Sequence, residues 1–331
     1  VFFMSLKKSI LTVLALCLPF AANAVLADTP NVPDVRADAA YVMDADTGAE
    51  LYAKKADEKM YPGGTTMIMT ALLGVESGKL DSVMTISDAS AALDSDVSRV
   101  GVYKGDKILL RNAMTAMMTV GGCDVALDVA STVSPTQADF VGAMNTKAKE
   151  IGATNTHFVN PTGLPANGHY STARDLSRIA AYAMKSADFR NLVNHSTYDM
   201  PYADSGSKHC VTTNEFLTSG FSGANGIKTG ATNNGGPALV ASATRNGHTL
   251  IATVLNSYDR SGDVEKLLSY GFSKIGETST SVATTTDSAK ASVTKAVISS
   301  EEAYVLRDAP AGQTVSDIAI AQHNKISQKN K

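Results

Sequence analysis

Alternating apolar and polar positions open the body of the chain. Residues 39–59, AAYVMDADTGAELYAKKADEK, keep a period of two on either side of Asp46-Thr47-Gly48, which predicts a β-hairpin. The next run, TTMIMTALL at 65–73, carries no charge and no alternation. It predicts a buried helix that stops near Glu76-Ser77-Gly78-Lys79. A Ser/Asp-rich stretch and a turn at Lys104-Gly105-Asp106 lead into LLRNAMTAMMTVGGCDVALDVAS at 109–131, a helical pattern. QADFVGAMNTKAKEIGA, 137–153, repeats its apolar positions every 3.6 residues and predicts an amphipathic helix closed by Gly152. After the Gly/Pro-rich loop NPTGLPANGHY, the sequence STARD offers an N-cap for another helix. From about Val211 strand patterns return. PALVASATRNGHTLIATVLNS, 237–257, is two β-type runs joined by Asn246-Gly247, and DVEKLLSYGF predicts a closing helix.

Strands therefore open and close one domain and helices fill its middle. That order predicts an α+β fold in which N- and C-terminal strands meet in one antiparallel sheet around an inserted helical region. The domain spans 36–272, preceded by a Pro-containing linker at 25–35. Beyond it, 273–291 is a Ser/Thr-rich linker, and 292–331 reads as a small β module or frayed tail. The first 24 residues have the pattern of an export signal: Lys7 and Lys8, the short apolar run SILTVLALCLPF, then small-x-small at Ala22–Ala24. The expected location is periplasmic or extracellular, with no transmembrane segment in the mature chain.

Composition narrows the chemistry. A net charge of −3, made more negative by loss of Lys7 and Lys8, excludes a nucleic-acid partner, which would need a concentrated basic surface. Cys17, Cys123 and Cys210 stand too far apart for a zinc site. Export would permit Cys123 and Cys210 to pair, and spacing leaves that open.

Several long segments resemble the serine D-alanyl-D-alanine carboxypeptidases, the low-molecular-weight penicillin-binding proteins. They are AYVMDADTGAELYAKKADEKMYPGG, NTKAKEIGATNTHFVNPTGLPANGHYSTARDL, GIKTGATNNGGPALVASATRNGHTLIATVL and KLLSYGF. The resemblance covers roughly 36–272 and implies a β-lactamase/transpeptidase-like fold. It also implies acyl transfer by the serine of S-x-x-K, with the lysine as base, an S-x-N triplet and K-T-G lining the cleft, and no cofactor or metal.

The family's P-A-S-x-T-K-I-M-T falls on Pro62-Gly63-Gly64-Thr65-Thr66-Met67-Ile68-Met69-Thr70. Gly64 thus stands at the nucleophile and Met67 at the base. S-G-N-D-A falls on Gly121-Gly122-Cys123-Asp124-Val125, so Gly121 and Cys123 replace the serine and asparagine. K-T-G survives as Lys228-Thr229-Gly230, and Arg260 matches an arginine that helps hold the substrate carboxylate. By resemblance the oxyanion donors are the backbone N–H groups of Gly64 and Ala231, which side-chain changes leave in place.

Glycine has nothing to attack with and methionine has no basic nitrogen, so the implied protein is catalytically inactive. It could still bind a stem peptide ending in D-Ala-D-Ala, or act beside an active cell-wall enzyme. The competing reading is a hydrolase using a substitute nucleophile such as Cys123, with Lys228 lowering the thiol pKa. Thr65 and Thr66 are expected to cap the helix, and His157 and His169 to be structural.

Overall fold

A computed structural model describes residues 31–93 and 96–276. The leader at 1–24, most of the 25–35 linker, the Ser/Thr-rich linker from 277 and the module at 292–331 lie outside the described residues.

The predicted first hairpin is β1 (Ala39–Asp44) and β2 (Glu50–Lys54), followed by α1 (Met67–Glu76). Next come β3 (Val83–Thr85), α2 (Asp88–Ala91), β4 (Lys107–Leu109), α3 (Leu110–Ala116) and α4 (Cys123–Val133). The single helical pattern at 109–131 is thus two helices, divided by a π-type turn over Met117–Gly121 that ends with Gly121 at φ +86°. Helices α5 (Gln137–Glu150), α6 (Ala173–Ala183) and α7 (Ala187–Val193) follow. Thr172 caps α6 by accepting from the Asp175 N–H at 3.1 Å, as STARD predicts.

A two-stranded ribbon, β5 (Thr197–Pro201) with β6 (Ser207–Val211), precedes the point where the sequence pattern announces strands. The chain closes with β7 (Ala224–Thr232), β8 (Gly236–Arg245), β9 (His248–Leu255) and α8 (Arg260–Lys274). The last helix runs past the expected domain end at residue 272.

The main sheet has the order β2-β1-β9-β8-β7, every pair antiparallel, so the N-terminal hairpin meets the C-terminal strands as expected. Its side chains split cleanly by parity. Tyr41 and Met43 of β1, Val240 of β8 and Ile251 of β9 face the helical cluster. Val42, Leu239, Ala241, Leu250, Ala252 and Val254 face α8, which answers with Val264, Leu267, Leu268 and Phe272 at helical spacing.

Helix α1 runs through the helical cluster. Every residue from Met67 to Gly74 is buried, which accounts for the missing charges: a helix surrounded on all sides has no face for them. A β-carbon on Gly74 would sit 2.2 Å from Met114 Sδ, so α1 and α3 touch where glycine leaves room.

Candidate active site

Pro62 leads into a 3₁₀ turn, Gly63–Thr66, that continues directly into α1. The threonines do not cap the helix, because the chain is already helical at Thr66 and no orphan N–H faces either hydroxyl. Instead Thr65 Oγ1 donates to the Pro62 carbonyl at 2.7 Å, and Thr66 Oγ1 meets His169 Nε2 at 3.0 Å. The other ring nitrogen, Nδ1, accepts the Val159 N–H at 3.1 Å. The neutral ring therefore carries its proton on Nε2 and donates to Thr66. Burial, with a smaller push from His157, lowers the His169 pKa to about 4, which keeps the ring neutral. Thr70 Oγ1 adds a 2.7 Å bond to the Pro161 carbonyl.

Two glycines let backbone pack on backbone here. A β-carbon on Gly163, at φ +81°, would fall 1.8 Å from the Gly63 carbonyl oxygen. One on Gly230 would lie 2.9 Å from each of Gly64 N, Pro62 O and Thr65 N. The turn carrying Gly64 is wedged between the 160–163 loop and β7. A β-carbon on Gly64 would face the Thr229 carbonyl at 3.1 Å, so this position points at the K-T-G strand. Met67 is fully buried one turn further on.

Lys228 extends from β7 with 1% of its surface exposed. Its Nζ donates to Thr229 Oγ1 at a long 3.3 Å and lies 3.3 Å from the point a β-carbon on Gly121 would occupy. Burial first, then the nearby Arg260 guanidinium, lower its pKa to about 7. Thr229 Oγ1 also pairs with Thr213 Oγ1 at 2.6 Å.

Arg260 starts α8, an unfavourable end of the helix dipole for a cation. Its Nη2 is turned to the Thr213 carbonyl at 3.2 Å and to Glu215 at 3.4 Å. Beside Ala231 an open cavity of about 640 Å³ is lined by Thr232, Asn233, Asn234, Asn256 and Tyr258.

Cys123 and Cys210 are buried free thiols rather than a disulfide. Burial pushes the Cys123 thiol up to about 11 and Asp124 adds to the shift, outweighing the opposite pull of Lys228 and Arg99. The expectation that Lys228 would activate this thiol is therefore reversed: burial and the Asp124 charge disfavour the thiolate more than the Lys228 amine favours it. Among the described residues no cluster of His, Cys, Asp or Glu could hold a metal ion, and no helix is long and apolar enough to cross a membrane.

Residues 26–259 match the family model for D-alanyl-D-alanine carboxypeptidase. The chain belongs to this family. A D-alanyl-D-alanine carboxypeptidase of Streptomyces sp. (strain K15) is 35% identical over 289 residues, 81% of this chain and 99% of that protein. DacF of Bacillus subtilis is 31% identical over 246 residues, 72% of this chain and 62% of the relative.

Among solved structures, the Streptomyces K15 DD-transpeptidase superposes with a TM-score of 0.68 at 36% identity, covering 73% of this chain and 98% of the other. Variants of that transpeptidase with a cysteine replaced by asparagine or alanine superpose equally well, at 0.69. A penicillin-binding protein homologue from Mycobacterium tuberculosis gives 0.68 at 29% identity, covering 75% and 95%.

Within this carboxypeptidase fold the motif positions converge. Gly64 meets Thr229 and Gly230, while Gly121 and Cys123 gather near Lys228. Ser98 was not legible as a site residue: its Oγ lies 3.3 Å from the β-carbon position of Gly121, yet it sits in a Ser/Asp-rich stretch without periodicity. Thr213 and His169 likewise enter through the fold. No sequence motif marks Thr213, while His169 plays the structural part expected of it.

Proposed function

We propose that the protein is an exported, catalytically silent carboxypeptidase homologue that binds peptidoglycan stem peptides ending in D-Ala-D-Ala without cleaving them. The reading rests on one combination. Gly64 and Met67 stand where the family motif supplies nucleophile and base, beside an intact Lys228-Thr229-Gly230 strand. No acyl-enzyme can form on a glycine, while a largely buried ammonium with hydroxyls alongside suits a carboxylate. Arg260 adds positive charge, and the backbone N–H groups of Gly64 and Ala231 remain as donors for a carbonyl oxygen.

The presence of Cys123 does not by itself make it a substitute nucleophile. The K15 transpeptidase also has a cysteine, replaced in the variants above. The raised pKa of Cys123 argues against its use as a nucleophile.

Labelled penicillin provides the test of silence: no covalent adduct is expected, and an adduct on any residue refutes it. Titration with a D-Ala-D-Ala peptide tests binding, which should be lost in Lys228→Ala. Peptide cleavage by the wild-type protein would overturn the reading as a whole.

A further inference from the structure

The gap at Gly121 is not empty of chemistry. A β-carbon placed there would stand 3.3 Å from Lys228 Nζ and 3.3 Å from Ser98 Oγ, two groups arriving from different parts of the chain. Lys228 reaches the point from the buried side, off β7. Ser98 reaches it from an exposed loop that precedes α4.

That loop is fastened. The Cys123 N–H donates to the Ser98 carbonyl at 2.9 Å. The buried Asp124 carboxylate accepts the N–H groups of Val100 at 3.0 Å, Gly101 at 2.9 Å and Val102 at 3.4 Å. Charge-assisted bonds of this kind fix a loop far better than neutral contacts do. Ser98 is thus held against the start of α4 rather than left to wander over the surface.

We propose that Ser98 supplies, from outside the motif, the hydroxyl that Gly121 lacks, and that with Lys228 it holds an oxygen of a bound peptide. The Ser98 hydroxyl now donates to the Val120 carbonyl at 2.9 Å. Rotation about its Cβ–Oγ bond would turn that proton to a ligand without moving the oxygen. Lys228 has the matching need. An ammonium offers three donors, and the hydrogen bond it makes here is the long one to Thr229. Because each group lies 3.3 Å from that one point, a ligand oxygen admitted beside Gly121 would meet a buried cation and an exposed hydroxyl together. A serine introduced at Gly121 itself would meet both groups at short range and would have to adopt φ +86°, a left-handed backbone.

The inference rests on the peptide-binding reading above, and the experiment separates the two. A D-Ala-D-Ala peptide is titrated into the full chain, Ser98→Ala, Ser98→Thr and Lys228→Ala, with amide spectra checking each fold. Ser98→Ala should weaken binding roughly tenfold, the cost of one hydrogen bond to a charged or strongly polar oxygen. Ser98→Thr, which keeps the hydroxyl, should stay within about twofold of the wild type.

Loss of binding in Lys228→Ala with none in Ser98→Ala overturns this inference and leaves the site reading standing. Binding that survives Lys228→Ala sinks the site reading, and no binding at millimolar peptide overturns both. Equal losses in Ser98→Ala and Ser98→Thr would show that the loop contact, not the hydroxyl, matters, and would also overturn it. A penicillin adduct on Ser98 would make it a nucleophile instead, with the same consequence.

Discussion

His169 ties acid sensitivity to the turn that carries Gly64. Folded, the ring is held neutral with a pKa of about 4; an unfolded chain would show the ordinary 6.5. Between those values the unfolded state binds the proton and the folded state does not, so stability rises with pH across that window. It is complete above about 6.5, falls as the pH drops, and levels off once the folded ring also protonates near 4. A displacement of roughly 2.5 pH units at about 1.36 kcal/mol each amounts to about 3 kcal/mol.

Protonation would also destroy the acceptor at Nδ1 that receives the Val159 N–H, so the cost falls on the 159–169 loop and on Thr66. Denaturant titrations from pH 4 to 7.5 should therefore show a steep loss in the wild type. His169→Asn has no ring to protonate, and its curve should be flatter by about that amount, whatever its baseline stability. Comparing the two removes contributions common to both, such as the buried Asp175. Parallel curves would refute the reasoning.

Peptide affinity should fall as pH rises through about 7, because only protonated Lys228 offers full charge to a carboxylate; an isothermal titration series from pH 6 to 8.5 reads it, and a flat profile would remove Lys228 from the contact. Gly230→Ala should destabilise the domain by about 1–3 kcal/mol in denaturant melts, since its β-carbon would collide with three backbone atoms of the Gly64 turn. Met67→Lys should cost at least about 3 kcal/mol, as a charge buried without an evident partner, whereas Met67→Leu should cost under about 1.5 kcal/mol; thermal melts distinguish them. Iodoacetamide should leave Cys123 largely unmodified in the native protein at pH 7.5, and rapid modification measured by mass spectrometry would contradict the raised thiol pKa.

Much of the architecture was legible because its signals are local. Asp46-Thr47-Gly48 and Asn246-Gly247 mark their hairpins, and the uncharged run at 65–73 is a helix buried on every side. The β5–β6 ribbon escaped notice because each short strand buries a single residue, Met200 in β5 and Cys210 in β6, too few to show an alternation. The break at Gly121 was hidden because apolar residues continue through it, and composition does not register a change of helical hydrogen bonding.

In the site, resemblance to the family's motifs singled out Gly64, Gly121, Cys123 and Lys228, but it could not give the direction of the Cys123 shift. That depends on burial and on Asp124, a neighbour whose carboxylate is fixed by loop contacts distant in sequence. Ser98 and Thr213 reach the cleft through tertiary packing alone.

The clearance around the Gly64 turn decides which of its positions can change. Contacts that exclude a β-carbon at Gly163 and Gly230 hold the backbone to a tolerance set by covalent geometry, not by the side chain at position 64. At Gly64 the nearest obstacle to a side chain is a carbonyl oxygen 3.1 Å away, which a shift of β7 by a few tenths of an ångström would clear. Substitution at Gly64 thus needs only a slight adjustment of one strand, whereas Gly163 and Gly230 are closed to a side chain, so the turn can vary in chemistry while its path stays fixed.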